Sequence, residues 1–424
     1  MAEYKWQGWG FLPLFISKKS FLDIVRSGNW KHWSEELQDH EIKDIRRFYT
    51  RASADLLRPM KQGRYVFEAK ANDRPLFSLA RNQQSLNHSF SVCITKLQLL
   101  QMGEVSLLYL HFESTESLSA ANISELNRTV FQWEPRTERH NVCLWEDSEQ
   151  QQKGLKQHIG DLLGLPLGNN SHYEEDAFGH ELVSCSWVKQ VNNFEQSNAI
   201  CVSELSAGIN FSNPRYKLSE TETQRLVENQ FHYWSDWRCQ FNLNRLVFVD
   251  QTPGESSLNW NLSTNHYYLD LLAAVICQRT TLGRFKDEMI LSPNKQRAKL
   301  YERISLFRRS YKMSHVSTYP FAERLYQYLC CQADLELIEQ KAFVELEHNH
   351  ALWKQEKDES SNTVLLLVSL VAALLVPASS IATIMALTKE QMNLTFWAIS
   401  GTITLVTAIV MIWPPLKRYL KSKD

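Results

Sequence analysis

Thr363–Leu387 reads TVLLLVSLVAALLVPASSIATIMAL, 25 residues without one charged side chain. A helix needs roughly 20 apolar residues to cross a hydrocarbon core of about 30 Å, so this run can span a bilayer with room to tilt. Six residues later, Leu394–Trp413 (LTFWAISGTITLVTAIVMIW) gives a second uncharged run of 20. In lipid the backbone must satisfy its own hydrogen bonds, so two such runs joined by the short TKEQMN turn predict a helical hairpin. A hairpin buried in a soluble core is the competing reading, but core helices of soluble proteins seldom go so far without a charge.

The flanks orient the hairpin. Lys417, Arg418, Lys421 and Lys423 follow the second run, whereas the loop between the runs carries Lys389 beside Glu390. The positive-inside bias places the tail in the cytoplasm and the loop outside, and two crossings return the N-terminal part to the cytoplasm. Trp397 and Trp413 fall near the ends of the second run, where interfacial anchors belong. A net charge of −1 and a pI near 6.9 give no global field for nucleic acid, so no direct DNA binding is expected. Eight cysteines without a C-x-x-C pair read as reduced core residues. The first thirty residues hold only the short apolar run Phe11–Ile16, which predicts no secretory signal.

Ahead of the runs the signals are mixed. Ser20–Leu57 has helical spacing, while Arg64–Glu68, His88–Leu99 and Glu104–Phe112 are β-like runs, the last two split by Met102-Gly103 as in a hairpin. Arg128–Trp133, Glu181–Val188, Ala199–Leu205 and Arg245–Asp250 are further strand candidates, and Leu155–Leu163 is a short helix. Asp250–Asn265 is turn-rich. Beyond it His266–Met289 and Pro293–Met313 read as helices, and Pro320 suits the first turn of another. No breaker follows before the first run, so Phe321–Leu387 is expected as one helix of about 100 Å.

The fold class is therefore an α/β (or α+β) cytoplasmic domain at 1–250, a helical region with a long stalk helix at 264–362, and a C-terminal two-helix transmembrane hairpin. The hairpin consists of spans at 363–387 and 394–413, an outer loop at 388–393 and a basic tail at 414–424. A lipophilic stalk stripe cannot be buried by one chain, which predicts an oligomer. No Walker loop, dinucleotide fingerprint or nucleophile elbow is present, and no catalytic residue is assigned.

This topology resembles the CorA superfamily of divalent-cation channels. HYYLDLLAAVICQRTTLGRF (His266–Phe285) is similar to the helix before the stalk in divergent bacterial members, and Ile94–Ser114 with Ile123–Trp133 resembles their N-terminal domain. The resemblance implies a homopentamer in the prokaryotic inner membrane, with the first span lining the pore and Mg²⁺ transported or regulatory. The family's Gly-Met-Asn signature is not kept. Matching by ending places Gln391, Met392 and Asn393 there; anchoring on Pro377 places Ala386, Leu387 and Thr388, the preferred match. Without the Gly and a full ring of Asn carbonyls, capture of hydrated Mg²⁺ at the mouth is not assured.

Ser369, Ala372, Val376, Ser379, Thr383 and Ala386 step by 3, 4, 3, 4 and 3 along one helix face, as pore-lining or tightly packed small residues would. Two charge blocks remain. Asp334–Glu359 holds eight acidic and three basic residues, and Glu345, Glu347, Asp358 and Glu359 are candidate Mg²⁺ ligands, against a plain solvated face. Arg279–Lys312 holds ten basic and three acidic residues. Its Arg279, Arg284, Lys286, Arg297, Lys299, Arg303, Arg308 and Arg309 could bind a nucleotide or anionic lipid, or pair with a neighbour's acidic block. Three functions follow: a CorA-like cation channel gated from its cytoplasmic domain, a membrane effector of prokaryotic antiphage (CRISPR-type) defence gated by a nucleotide messenger, and a membrane-anchored scaffold.

Overall fold

The computed structural model describes residues 3–35, 37–68, 75–80, 91–133, 143–165, 178–179, 182–190, 198–211, 217–252, 256–291, 294–344 and 362–369. Contacts divide the chain into two compact units, Met1–Ala342 and Phe343–Asp424.

In the first unit the described strands are β1 (Tyr4–Leu14), β2 (Lys31–His32), β3 (Arg64–Glu68), β4 (Phe77–Leu79), β5 (Val92–Met102), β6 (Val105–Ser114), β7 (Leu144–Glu146), β8 (Gln152–Gly154), β9 (Val183–Gln190), β10 (Trp237–Asn242) and β11 (Arg245–Asp250). They form one sheet in the order β10-β11-β9-β1-β6-β5-β4-β7-β8, with β3 also on β5 and β2 on β3. Every described pairing is antiparallel except β9 with β11. The helices are α1 (Lys18–Ser27), α2 (Asp39–Phe48), α3 (Arg51–Leu57), α4 (Ala120–Thr129), α5 (Leu155–Leu163), α6 (Asn198–Ser206), α7 (Glu220–Glu228), α8 (Ser257–Asn259), α9 (Tyr267–Leu291), α10 (Asn294–Ser310) and α11 (Pro320–Gln332).

Period-two geometry splits the apolar residues into two cores. On β1, Trp9 and Phe11 enter one core while Tyr4, Trp6, Leu12 and Leu14 enter the other. β6 divides likewise, with Leu107 and Tyr109 against Leu108 and Leu110. On β5, Val92 and Ile94 share a face with Leu97 and Leu99, an odd number of residues away. A bulge between Ile94 and Lys96 makes this possible by inserting one extra residue. The hairpin to β6 turns through Gly103, whose φ of +65° suits the first central residue of a two-residue loop. α1, α4, α5 and α6 contribute to one core, and α2, α3, α9 and α11 to the other, so helices cover both faces.

Tyr267–Cys277 of α9 is buried throughout. A helix apolar around its whole circumference must be enclosed, and the exception within it, Asp270, fixes where. The Asp270 carboxylate accepts from Arg58 Nε at 2.5 Å, Arg64 Nη1 at 2.8 Å, Tyr49 Oη at 3.1 Å and Tyr109 Oη at 3.4 Å. Arg64 also donates to Gln98 Oε1 and the Leu57 carbonyl, and Arg58 to the Asn265 carbonyl.

Several expectations hold: β3, β11 and α5 match their expected residues, and α9 and Pro320 at the start of α11 lie where expected. Arg128–Trp133 is not a strand: Arg128 and Thr129 close α4 and a turn follows at 130–131, the helix having been set upstream when Ser119 caps the Asn122 amide at 3.2 Å. Ala199–Leu205 is also helical, as α6, which packs on β10 and β11. The single helix expected from Phe321 breaks after α11, because Asp334 takes a left-handed φ of +52° before helix resumes at residue 335. Cys143, Cys185, Cys239 and Cys277 are buried thiols that form no disulfide, while Cys331 is exposed.

Among the described residues no helix is long and apolar enough to cross a membrane. Only 363–369 of the first run is described; the rest of it and the whole second run lie outside the described residues.

Asp270→Asn removes the countercharge of two buried guanidiniums, and breaking such a network costs about 3–5 kcal/mol. Urea unfolding of the variant should show a loss of that size; a loss below about 1 kcal/mol would mean that geometry alone holds α9.

Candidate ligand pocket and the buried charges beneath it

A cavity of about 480 Å³ opens where four segments of the first unit meet, lined by Asp44, Phe48, Trp234, Asp236, Trp237, Ser257, Asn261, Asn265, Tyr267, Tyr268, Tyr319 and Phe321. Asp44 and Phe48, four residues apart on α2, share a face. Phe231 and Cys239 exchange backbone hydrogen bonds at 2.9 and 3.0 Å, so the residues between them loop outward and carry Tyr233 and Trp234 to the rim. Ser257 and Asn261 come from α8 and the π-helical turn Trp260–Thr264 that follows it. Tyr319 precedes Pro320 and is held extended at φ −88° and ψ 121°, as a residue before proline is.

The rings form a continuous wall. Tyr267 stacks on Phe48 at 4.3 Å, and Tyr319 lies 5.7 Å from Phe48. Phe321 meets Tyr268 at 5.4 Å, Trp237 at 5.6 Å and Trp234 at 5.8 Å. The exposed aromatic side chains among the described residues are Tyr233, Trp234, Trp260 and Tyr319, and all four belong to these segments. Asp236 is half-buried and accepts the Thr252 hydroxyl at 3.2 Å, while Asp44 lies 3.7 Å from Arg47 at the surface. Burial pushes the Tyr267 phenol up to about 12, with Asp44 adding and Arg58 opposing, and burial likewise raises Tyr268. Both phenols are neutral donors at pH 7.

Beneath the pocket floor lies the Asp270 network. Burial disfavours the charge on Arg58, yet the Asp270 carboxylate outweighs it and raises Arg58 above its ordinary value. Arg58 reaches the Asn265 carbonyl, and Tyr49 donates to the Tyr267 carbonyl at 3.3 Å, so core groups hold two pocket residues by their backbone. His266, at a left-handed φ of +55°, faces the Gln98 amide at 3.2 Å through Nε2. Because Gln98 Oε1 accepts from Arg64, its amide nitrogen must donate and His266 Nε2 accept, which assigns the proton to Nδ1. His111 stacks on Trp9 at 5.3 Å. Burial, with help from Lys96, pushes His111 down to about 3. Burial, then Arg58, also drives His266 well below the usual range.

The expected site residues are scattered or undescribed. Arg279 donates to Asn244 at 3.0 Å; Arg284 lies 3.5 Å from Glu288 and over the Phe15 ring. Arg303 bridges Glu288 and Glu104, tying α10 to α9 and to the β5–β6 turn. Lys286, Lys299, Arg308 and Arg309 are exposed, and Arg297 lies on α10. The basic block is thus partly engaged in internal pairs, and its described side chains do not line the pocket. Ser369 closes the described helical segment 362–369; Ala372, Val376, Ser379, Thr383, Ala386, Leu387, Thr388, Gln391, Met392 and Asn393 lie outside the described residues, as do Glu345, Glu347, Asp358 and Glu359. Among the described residues no group of three or more His, Cys, Asp or Glu is placed to hold a metal ion. Sequence reading missed the aromatic pocket, whose local signal is the run FHYWSDW at Phe231–Trp237. Compared with known proteins, the chain matches no protein family and no curated protein.

The neutral histidines set a pH dependence. The unfolded chain protonates both near 6.5, but folded His111 does so only near 3. Below pH 6.5 the unfolded state binds more protons, so stability falls with pH by about 1.4 kcal/mol per unit for each histidine. The urea midpoint should therefore drop between pH 7 and 5.5, and His111→Gln should make that drop smaller. An unchanged slope in the variant would show that His111 is not held neutral.

Proposed function

We propose that the chain is a homo-oligomeric, CorA-like membrane channel for cations, gated from the unit Met1–Ala342 and anchored by its C-terminal hairpin. One observation carries the reading. In the helical segment at 362–369, the consecutive side chains Val364, Leu365, Leu366, Leu367 and Val368 are all between 38 and 60 % exposed. Five adjacent aliphatic residues cover every side of a helix, and an aqueous surface does not favour such a band. Lipid or neighbouring copies of the chain would cover it. The uncharged continuation to Leu387 and the second run supply the length to cross. The resemblance in order of elements, from mixed domain through helices to a short-looped hairpin and basic tail, favours the channel over an inert anchor.

A nucleotide-gated effector is the second reading, favoured by the exposed basic side chains Lys286, Lys299, Arg308 and Arg309. The two readings share the membrane hairpin and differ in what opens it.

Purified protein in liposomes should pass cations, and Ser379→Leu or Thr383→Leu should cut flux while leaving the oligomer intact, because bulky apolar rings dewet a constriction. Weakened assembly with unchanged flux per complex would make this face a packing surface. A monomer by light scattering at micromolar concentration would refute the oligomeric channel.

A further inference from the structure

We propose that the aromatic cavity is a binding site for a small organic cation with an alkylated ammonium head, caged by Trp234, Trp237, Tyr268, Tyr319 and Phe321 and countered by Asp236. The site is independent of whether the hairpin conducts ions.

The lining chemistry selects the ligand. A pocket of about 480 Å³ is ordinary for a small molecule, and most such pockets are apolar with a few polar groups. Here the apolar part is almost entirely aromatic, and aromatic faces carry the negative potential that attracts onium heads. Two carboxylates and no lysine or arginine line the cavity. A phosphate would meet Asp44 and Asp236 with no cation among the lining residues, so the anionic nucleotides that suit the basic helices do not suit this cavity. Thr252 orients the Asp236 carboxylate without neutralising it.

The surrounding cations are already committed. Arg58, behind Tyr267, is bound to Asp270 and the Asn265 carbonyl. Arg47 faces Asp44, leaving Asp236 as the main counterion. Outside the cavity, Arg324 lies 5.6 Å over the ring of Tyr233, which is not a lining residue. The exposed Trp234 and Tyr319 give an entrant ligand two rings at the mouth, and the buried Trp237, Tyr268 and Phe321 give it a floor.

The test uses the full chain in dodecyl maltoside, which has no choline head, with intrinsic tryptophan fluorescence and titration calorimetry as readouts. The probes are choline and its uncharged carbon isostere 3,3-dimethylbutan-1-ol. Choline should bind about tenfold or more tighter than the isostere, the factor expected of a partly desolvated cation–π cage. Asp236→Asn should weaken choline severalfold and leave the isostere unchanged, and Trp234→Ala, at an exposed position, should weaken choline without altering the far-ultraviolet dichroism. Equal binding of the two probes would overturn the proposal, as would undiminished choline binding by Asp236→Asn. Tighter binding of glycerophosphocholine than of choline would also overturn it, because a phosphate would then be welcome at a wall argued to be anionic. A failed flux assay with intact choline selectivity would refute the channel and leave this site standing.

Discussion

One carboxylate organises the first unit. Asp270 is fully buried on α9 and gathers Arg58, Arg64, Tyr49 and Tyr109 from four separate segments. Hydrophobic burial would hold α9 against the sheet in several registers, since Leu269–Cys277 offers apolar side chains in every direction. Burying a charge is costly unless it is paired, so only the register that brings Asp270 to both guanidiniums avoids that cost. The network therefore chooses a position more than it adds stability. Its outer donors are satisfied too, through Gln98 and the Leu57 and Asn265 carbonyls.

The same constraint shapes the pocket. Asn265 and Tyr267 are held by their carbonyls from Arg58 and Tyr49, so the floor is pinned by the core. The walls are fixed by different devices, Pro320 for Tyr319 and the Phe231–Cys239 bridge for Trp234. A cavity whose rings are positioned by backbone restraints loses little freedom when it is filled.

Legibility followed locality. The β5–β6 hairpin could be read because two runs of β-forming residues and the Gly103 between them are all local, and α5 ends at Gly164 with a left-handed φ of +62°. β1 was hard to read: YKWQGWGFLPL is buried on both faces, so its polarity does not alternate, and two glycines and a proline interrupt it. Ala199–Leu205 has strand-like composition, but Ser203 bonds back to the Ala199 carbonyl at 3.1 Å and to Gln240 at 3.0 Å, and packing on β10 and β11 decides for helix. Asp270 stands in the sequence as an acid inside an apolar helix, a signal the reading left unused, and nothing local marks positions 58 and 64 as its partners. The pocket draws on residues 44–48, 234–237, 257–268 and 319–321, and no sequence window sees that convergence.

The account of the whole chain rests on what covers Val364–Val368. If lipid does, the C-terminal unit is integral to a membrane. Alkaline carbonate washing of membranes from cells making the full chain tests this most directly, because it strips peripheral proteins and leaves integral ones. The protein is predicted to remain in the membrane pellet; its release into the supernatant would contradict the account.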